Sequence, residues 1–306
     1  MTSAATMTNP AASFEPYRRR LLGLAYRMLG SMADAEDAVQ ETYLRWHGVD
    51  RNHVSDPRAF LMTTTTRICL DMLTSARARR EEYVGPWLPE PVVDTTALAP
   101  DSRTELAEDL SIALLLTLDR LSPLERAAFL LHDVFDFSFS EVATSLERSE
   151  AACRKLAARA RAHVRAARPR GAVAPPARPG EIDAKHALLM SAFAAATQSG
   201  DLIALTQLLA NDVRVVTDGG GKVAASLNVL EGADRAAQFL VGVTRKGWRE
   251  DFTLRFATIN GLPGVIVDAP EGLVQTAAFE IEGDVIRALY VVRNPDKLRH
   301  LAAAAN

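Results

Sequence analysis

Two proline-rich stretches divide this chain of 306 residues into three blocks, and this division constrains the fold more than any other sequence feature. Residues 83–104 contain Pro86, Pro89, Pro91 and Pro100, and residues 169–180 contain four prolines and two glycines. Proline lacks a backbone donor and breaks helices, so both stretches are predicted to be linkers. The three blocks are therefore residues 14–82, 105–168 and 181–306, preceded by a disordered N-terminus at 1–13.

The first two blocks predict helices only. In the first, Phe14, Leu21, Leu24 and Met28 recur at helical spacing, and we expect Asp34 to cap the next helix. The fold class expected for residues 14–168 is therefore two all-α domains.

The third block predicts an α+β domain. Two helical patterns come first, at 183–198 and 201–210, and the segment VRVVTDGGGKVAAS then predicts a strand, a glycine turn and a second strand. A helix is expected near 233–243, followed by strands at 251–259, 264–268, 273–281 and 285–292. This order predicts a curved antiparallel sheet packed against helices.

Composition excludes several classes of protein. Hydrophobic residues make up 48% of the chain, which is enough for packed cores. The two cysteines exclude a disulfide scaffold and a four-cysteine zinc site. No apolar run is long enough to span a membrane, and no signal peptide is apparent, so we expect a cytoplasmic protein.

Charge is distributed unevenly along the chain, although the net charge is only −3. Residues 141–170 contain eight basic and three acidic side chains, whereas residues 101–140 contain three basic and eight acidic ones. A short basic segment in a mildly acidic chain indicates a polyanion partner that one element recognises.

The basic segment carries a helix-turn-helix pattern. Ser140 is expected to cap a short helix, and a tight turn at 147–149 precedes a second helix that buries Cys153. Glu147 occupies a turn position that usually holds glycine, which costs about 1 kcal/mol if the residue is left-handed. The second helix of this motif enters the DNA major groove. A solvated basic face on an amphipathic helix is the alternative reading.

Three segments in order resemble the extracytoplasmic-function sigma factors of bacterial RNA polymerase. They are DAEDAVQETYLRW at 34–46, DPRAFLMTTTTRICLDMLTSARARRE at 56–81, and LSPLERAAFLLHDVFDFSFSEVA leading into the helix-turn-helix. The resemblance covers residues 14–168. It implies sigma region 2 at 14–82 and region 4 at 105–168, and two partners, core RNA polymerase and promoter DNA.

The resemblance assigns roles to particular residues. The expected polymerase-binding face consists of Asp34, Asp37, Gln40, Glu41 and Leu44. The expected −10 contacts are Asn52, His53, Arg67, Arg77, Arg79 and Arg80, with the hydroxyls of Thr63–Thr66. At the −35 element, Arg154, Lys155 and Arg159 are expected to read bases, and Arg148, Ser149 and Arg161 to contact phosphates.

The third block is similar to SnoaL-like or ketosteroid-isomerase-like cone domains, which a subgroup of these sigma factors carries. The segments GPWLPEPV, DGGGK at 218–222 and NPDKL at 294–298 bear this similarity. It implies that the domain regulates the sigma core in cis, without a membrane-bound partner. The expected regulatory contacts are Trp87, Pro89, Asp218, Gly219, Gly220, Gly221, Lys222, Asn294, Pro295 and Asp296.

Catalysis by the third block is not expected. Asp212, Asp218, Asp268 and Tyr290 are candidate acids or bases, but none pairs with a second group at a compelling spacing. We expect no catalytic residue, cofactor or metal, and we leave open a small-molecule ligand in a pocket of this domain. Two other functions also remain open: a free-standing, ligand-responsive DNA-binding regulator, and a DNA-binding module fused to an enzyme.

Overall fold

The computed structural model describes residues 9–81, 83–93, 111–167 and 184–303. The chain forms two compact units. Unit 1 comprises Met1–Arg77, Ala97–Glu108 and Thr117–Ala166, and unit 2 comprises Ala78–Thr96, Asp109–Leu116 and Ala167–Asn306. Most of the predicted linkers, at 94–104 and 169–180, lies outside the described residues.

The first block forms three helices, α1 (Pro10–Leu29), α2 (Met32–Gly48) and α3 (Pro57–Glu81), with a 3-10 turn at Arg51–His53. Helix α1 begins earlier than the predicted boundary at residue 14, because Asn9 caps it and Pro10 is its first residue. The cap of α2 is Ser31 rather than Asp34, since the Ser31 hydroxyl accepts from the Asp34 backbone N–H at 3.1 Å.

The second block forms α4 (Ile112–Asp119), α5 (Pro123–Phe129), a π-helical turn (Leu130–Val134), α6 (Phe139–Leu146) and α7 (Glu150–Ala167). The cap of α6 is Ser138 rather than the predicted Ser140. Ser138 forms a capping box with Glu141, which satisfies the helix N-terminus two residues earlier than expected.

Unit 2 contains a six-stranded sheet. Its helices are α8 (Ala184–Ser199), α9 (Leu202–Leu208), α10 (Ala233–Gly247) and α11 (Pro295–Ala303). Its strands are β1 (Leu209–Asp218), β2 (Leu230–Glu231), β3 (Thr253–Ile259), β4 (Leu262–Ala269), β5 (Gly272–Glu282) and β6 (Val285–Val292), in the order β2-β1-β6-β5-β4-β3.

The sheet corrects two expectations. It is mixed rather than antiparallel, because β1, the second strand in the order, pairs with its neighbour β6 in parallel. The strand expected after the glycine turn is absent from residues 223–229, which are irregular; of the segment that follows the turn, only Leu230–Glu231 pairs with β1. The remaining predicted strands, including 285–292, are present.

Both faces of the sheet are buried within unit 2. One face packs against α8, α9 and α10 through residues such as Phe193, Leu205 and Phe279. The other face packs against the first turns of α4, against α11 and against the segment at 83–93, through Ile112, Leu298 and Leu88. The segment predicted as a linker at 83–93 is therefore part of the unit 2 core.

Candidate functional site

The acidic face predicted on α2 is exposed. Asp37 and Gln40 are exposed, Asp34 and Glu41 are half-exposed, and 57% of Leu44, about one turn after Glu41, is accessible. An apolar side chain among carboxylates suits a protein partner, because the apolar contact supplies affinity and the charges supply orientation.

The turn after α2 brings Asn52 and His53 together at the surface. Asp50 organises the turn: its carboxylate accepts from the Asn52 backbone N–H at 3.1 Å and lies 2.9 Å from His53 Nδ1. Both predicted side chains are exposed and reachable by a nucleic acid.

The threonine row of α3 corrects one expectation. The hydroxyls of Thr64, Thr65 and Thr66 donate to backbone carbonyls one turn earlier in the same helix, at 2.8–2.9 Å. Thr65 and Thr66 are fully buried. The prediction that these two hydroxyls contact a DNA strand was therefore wrong, because a helical threonine readily bonds back to its own backbone.

Arg67 lies against the C-terminal end of α6. Its guanidinium donates to the carbonyls of Thr144 and Ser145, each at 3.1 Å, and pairs with Glu147 at 3.1 Å. Thr63 is hydrogen-bonded to Ser145 at 2.7 Å between hydroxyl oxygens. A helix C-terminus carries partial negative charge, so it attracts this cation. Arg77, Arg79 and Arg80 lie in α3, in a part of the helix whose side chains the structure does not describe.

A second contact joins the two helical blocks at Phe135, which is fully buried. Its carbonyl accepts from Arg20 at 2.9 Å and from Arg58 at 2.7 Å. The Arg58 guanidinium also lies 4.9 Å from the ring centroid of Phe137. Unit 1 therefore holds the two helical blocks together through arginines bonded to main-chain carbonyls.

The helix-turn-helix consists of α6, a turn at 147–149, and α7. The backbone of Glu147 is left-handed, with φ 53° and ψ 47°, so the condition under which glutamate carries a cost at this turn position is met. Cys153, Ala157 and Ala160 are fully buried and hold α7 in place. Burial raises the pKa of the Cys153 thiol, which suppresses the reactive thiolate.

The predicted DNA-binding cations differ in how firmly they are held. Arg154 and Lys155 are exposed, and Arg154 pairs with Glu150 at 2.9 Å. Arg159 is 71% exposed and lies 3.9 Å from Glu125. Arg161 is less exposed and bonds to Asp133 at 2.6 Å.

The turn that begins α7 holds the other two predicted residues. Arg148 and Ser149 are exposed, and the Ser149 hydroxyl accepts from the Ala152 backbone N–H at 3.3 Å.

In unit 2, the carboxylate of Asp218 is the centre of a buried cluster and is fully inaccessible to solvent. It accepts from the Tyr83 hydroxyl at 2.5 Å, from the Leu88 backbone N–H at 2.8 Å and from Lys297 Nζ at 2.7 Å. Burial and the neighbouring Asp218 raise the pKa of the Tyr83 hydroxyl. Asn294 donates to the same hydroxyl at 2.9 Å.

Lys297 ties the cluster to the predicted docking segment. Its ammonium lies 4.3 Å from the Trp87 ring centroid and 4.9 Å from that of Tyr83, and it also donates to the Leu88 carbonyl. A cation held by two aromatic rings and a carboxylate is well compensated for its burial. Pro89 is buried in the same segment.

The docked segment continues to residue 93. The Asn260 backbone N–H donates to the Val92 carbonyl at 2.8 Å, and the Val92 backbone N–H donates to Asn260 Oδ1 at 3.1 Å. His300 Nε2 donates to the Pro91 carbonyl at 2.7 Å. We refer to residues 83–93 as the docked strip.

The glycine turn at 219–221 lets the chain pass close to its neighbours. A Cβ atom on Gly220 would lie 2.2 Å from the Asn294 amide nitrogen, and one on Gly219 would lie 2.3 Å from the Val223 carbonyl oxygen. Lys222 pairs with Asp296, and Pro295 is the first residue of α11. The structure therefore brings all ten predicted regulatory residues into one region of unit 2.

The candidate acids and bases have structural partners. Asp212 pairs with Arg287 at 2.7 Å and Asp268 with Arg255 at 2.6 Å, while the Tyr290 hydroxyl donates to Glu280 at 3.0 Å. Within the described residues there is no group of three or more metal-ligating side chains, and no helix is long and apolar enough to cross a membrane.

Sequence reasoning missed several residues of these sites. Tyr83 is the first residue of the proline-rich segment and Lys297 lies within NPDKL, so these two motifs already contained both residues. Arg20, Arg58 and Phe135 carried no local signal, because their partners are 77–115 residues away along the chain.

Comparisons with known families divide the chain as the motifs do. Residues 14–79 match the family Sigma-70 region 2, and residues 111–164 match the family Sigma-70, region 4. The chain is also 38% identical, over 94% of its length and 92% of the relative's, to the ECF RNA polymerase sigma factor SigJ of Mycobacterium tuberculosis. It belongs to the extracytoplasmic function sigma factors.

Two further comparisons cover nearly the full length of this sigma factor. The probable ECF sigma factor SigI of M. tuberculosis is 31% identical over 96% of both chains. The crystal structure of M. tuberculosis SigJ superposes with a TM-score of 0.69 at 34% identity, covering 94% of this chain and 98% of that one. The predicted fold class, two all-α sigma regions followed by an α+β domain, is confirmed.

Proposed function

We propose that this sigma factor binds core RNA polymerase through α2, the −10 element through the turn at 51–53 and α3, and the −35 element through α7. Three observations support these assignments. The α2 face is exposed and acidic, Asn52 and His53 share one exposed turn, and the cations of α7 stand on the second helix of a helix-turn-helix.

We further propose that regions 2 and 4 separate when the sigma factor engages a promoter. The −10 and −35 elements are about 25 base pairs apart, or roughly 85 Å at about 3.4 Å per pair. In unit 1, Thr63 of region 2 is in hydrogen-bond contact with Ser145 of region 4. The Nε and Nη2 atoms of Arg67 are engaged by the C-terminal carbonyls of α6, so these two donors become available to a phosphate only after this contact breaks.

The unit 2 domain, in this proposal, regulates the sigma core in cis through the docked strip. The observation that carries it is the burial of Asp218 and Lys297 against Tyr83, Trp87 and Leu88. The strip lies in the chain between region 2 and region 4. Its attachment to unit 2 therefore restricts how far the two regions can move apart, and its release lengthens the tether between them.

Regulation rather than catalysis suits this domain. Asp218, the most deeply buried of the candidate acids, is occupied by three donors from the docked strip and α11. Tyr290 and Asp268 are paired with neighbouring side chains. These partners give each group a structural role.

Transcription by purified core polymerase tests the regulatory proposal. The full chain is compared with Trp87→Ala, with a chain ending before Asn294, and with a chain lacking residues 181–306. We expect deletion of the domain to change transcript yield strongly, and tail removal to give a more active protein that Trp87→Ala partly reproduces. Trp248→Ala, at an exposed tryptophan after α10, is the control. Equal yields from all forms at equal folded concentration would show that the domain does not regulate.

A further inference from the structure

Three side chains of region 4 form a stack near the N-terminal end of α7. The His132 and Phe139 rings are stacked with centroids 3.9 Å apart and planes inclined by 28°. The Arg154 guanidinium carbon lies 4.6 Å from the Phe139 centroid. Its Nη2 atom also donates to Glu150 Oε2 at 2.9 Å.

Local structure on three elements fixes this stack. His132 lies in the π-helical turn, and its Nδ1 atom is 2.7 Å from the Phe137 carbonyl, which orients the ring. Phe139 is the first residue of α6, directly after the Ser138 cap. Arg154 lies one turn after Glu150 on α7, so their side chains meet on the same face.

The arrangement restrains the guanidinium without covering it. The Phe139 ring holds one face of the Arg154 group, Glu150 takes one donor, and 58% of the side chain remains accessible. A guanidinium has five donors in one plane, and guanine presents O6 and N7 to such a planar pair. A side chain already held in place loses less conformational freedom when it binds.

The neighbouring cations lack this restraint. Lys155 carries a flexible ammonium, and Arg159 is 71% exposed with a carboxylate only at 3.9 Å. Arg161 is bonded to Asp133 and is less exposed. Among the predicted base-reading cations within the described part of region 4, Arg154 is thus the one held over an aromatic ring.

We propose that Phe139 is a specificity-determining residue, which positions Arg154 to read one base pair of the −35 element. Phe139 acts through Arg154 and does not itself contact the base. This inference rests on the proposed role of α7 in reading the −35 element.

A promoter library tests the proposal with the full chain and core polymerase. The library is randomised at every position of the −35 element, and the base preference at each position is obtained from transcript yields. The variants are Arg154→Ala, Phe139→Leu, Phe139→Tyr and the double variant Phe139→Leu/Arg154→Ala. Phe256→Leu, at an exposed phenylalanine of unit 2, is the control, and thermal denaturation verifies that each variant is folded.

We expect Arg154→Ala to lose preference at one base pair by about tenfold or more. Phe139→Leu should weaken the preference at the same base pair by about two- to fivefold and leave the other positions unchanged. Phe139→Tyr keeps an aromatic ring and should keep the preference. The double variant should lose no more preference at this base pair than Arg154→Ala alone. Phe256→Leu should behave as the unchanged chain.

Two results would overturn the inference while leaving α7 as the −35 reader. In one, Arg154→Ala loses preference at one position and Phe139→Leu does not. In the other, Phe139→Leu weakens all positions equally and Phe139→Tyr fails to restore them, which is the signature of a merely structural residue. If Arg154→Ala changes no −35 preference, the proposed register of α7 fails as well, and the inference falls with it.

Discussion

At the scale of single residues, the buried pair of Asp218 and Lys297 should make unit 2 sensitive to substitution. Lys297→Met leaves the Asp218 carboxylate buried without its cation, so the free energy of unfolding should fall by about 3–5 kcal/mol. Urea denaturation followed by tryptophan fluorescence measures the loss. Lys222→Met removes an exposed pair with Asp296 and should cost less than about 1 kcal/mol. Equal losses from the two variants would contradict the central role of Asp218.

Glu147 offers a second residue-scale test, because it combines a left-handed backbone with an ion pair to Arg67. Glu147→Ala removes the ion pair and keeps the backbone cost, whereas Glu147→Gly removes both. The glycine variant should therefore be more stable than the alanine variant by about 1 kcal/mol, measured as a difference in denaturation midpoint. Identical stability of the two variants would show that the turn carries no such cost.

The same two sites show what sequence alone can predict about residues. The backbone cost at Glu147 could be anticipated, because the turn is a local feature of the sequence and the position usually holds glycine. The motifs NPDKL and GPWLPEPV indicated a contact, but the pairing of Lys297 with Asp218 spans 79 residues and has no local signature. Thr65 and Thr66 were misassigned, because spacing along a helix does not reveal which hydroxyls are buried.

At the scale of elements, helix α2 carries the proposed contact with polymerase. The double substitution Asp37→Lys/Glu41→Lys reverses one exposed and one half-exposed charge of α2. It should weaken binding to core polymerase by about tenfold or more, since like charges across an interface are costly. Co-purification with core enzyme at low and high salt measures the effect. Glu15→Lys, on the exposed surface of α1, controls for charge alone. Unchanged co-purification of a folded double variant would remove α2 from the interface.

The contact between α3 and α6 permits a direct test of opening. Thr63 and Ser145 are adjacent, so Thr63→Cys/Ser145→Cys should form a disulfide on oxidation. The native Cys69 and Cys153 are fully buried and will not compete. We expect the oxidised chain to lose promoter-dependent transcription by more than tenfold and to regain it on reduction.

The single-cysteine variants are the controls for this opening test, and the oxidant should leave their transcription unchanged. Full activity of the cross-linked chain would show that regions 2 and 4 need not separate. Failure of the disulfide to form in the free chain would equally contradict the contact.

Elements with strong local patterns were predictable from the sequence. The last strand, at 285–292, agrees with its apolar, β-branched composition, and the two helices of the helix-turn-helix follow their apolar spacing. The parallel pairing of β1 with β6 was not predictable, since pairing direction depends on where distant segments meet. The strand expected after the glycine turn fails for the same reason. Residues 223–229 have a strand-like composition, but they do not pair with a neighbouring strand.

At the scale of the whole molecule, the sequence divided the chain at its prolines, but the structure divides it differently. The docked strip and residues 109–116 belong to unit 2, although they stand between regions 2 and 4 in the chain. A chain cut at residue 180 therefore leaves Leu88 and Ile112 without the sheet face that buries them. Point substitutions such as Trp87→Ala consequently report on regulation more cleanly than deletion of the domain.

Promoter-dependent transcription with purified core polymerase tests the central claim, that this chain is an initiation subunit, most directly. Core polymerase without a sigma factor is supplied with a library of DNA fragments, alone, with the full chain, or with Asp37→Lys/Glu41→Lys, and transcript start sites are mapped. We predict that the full chain creates defined start sites that share two upstream elements, and that the charge-reversed variant creates few. Start sites that are unchanged by adding the chain, while the chain alone binds particular DNA sequences, would contradict the account and identify a free-standing DNA-binding regulator.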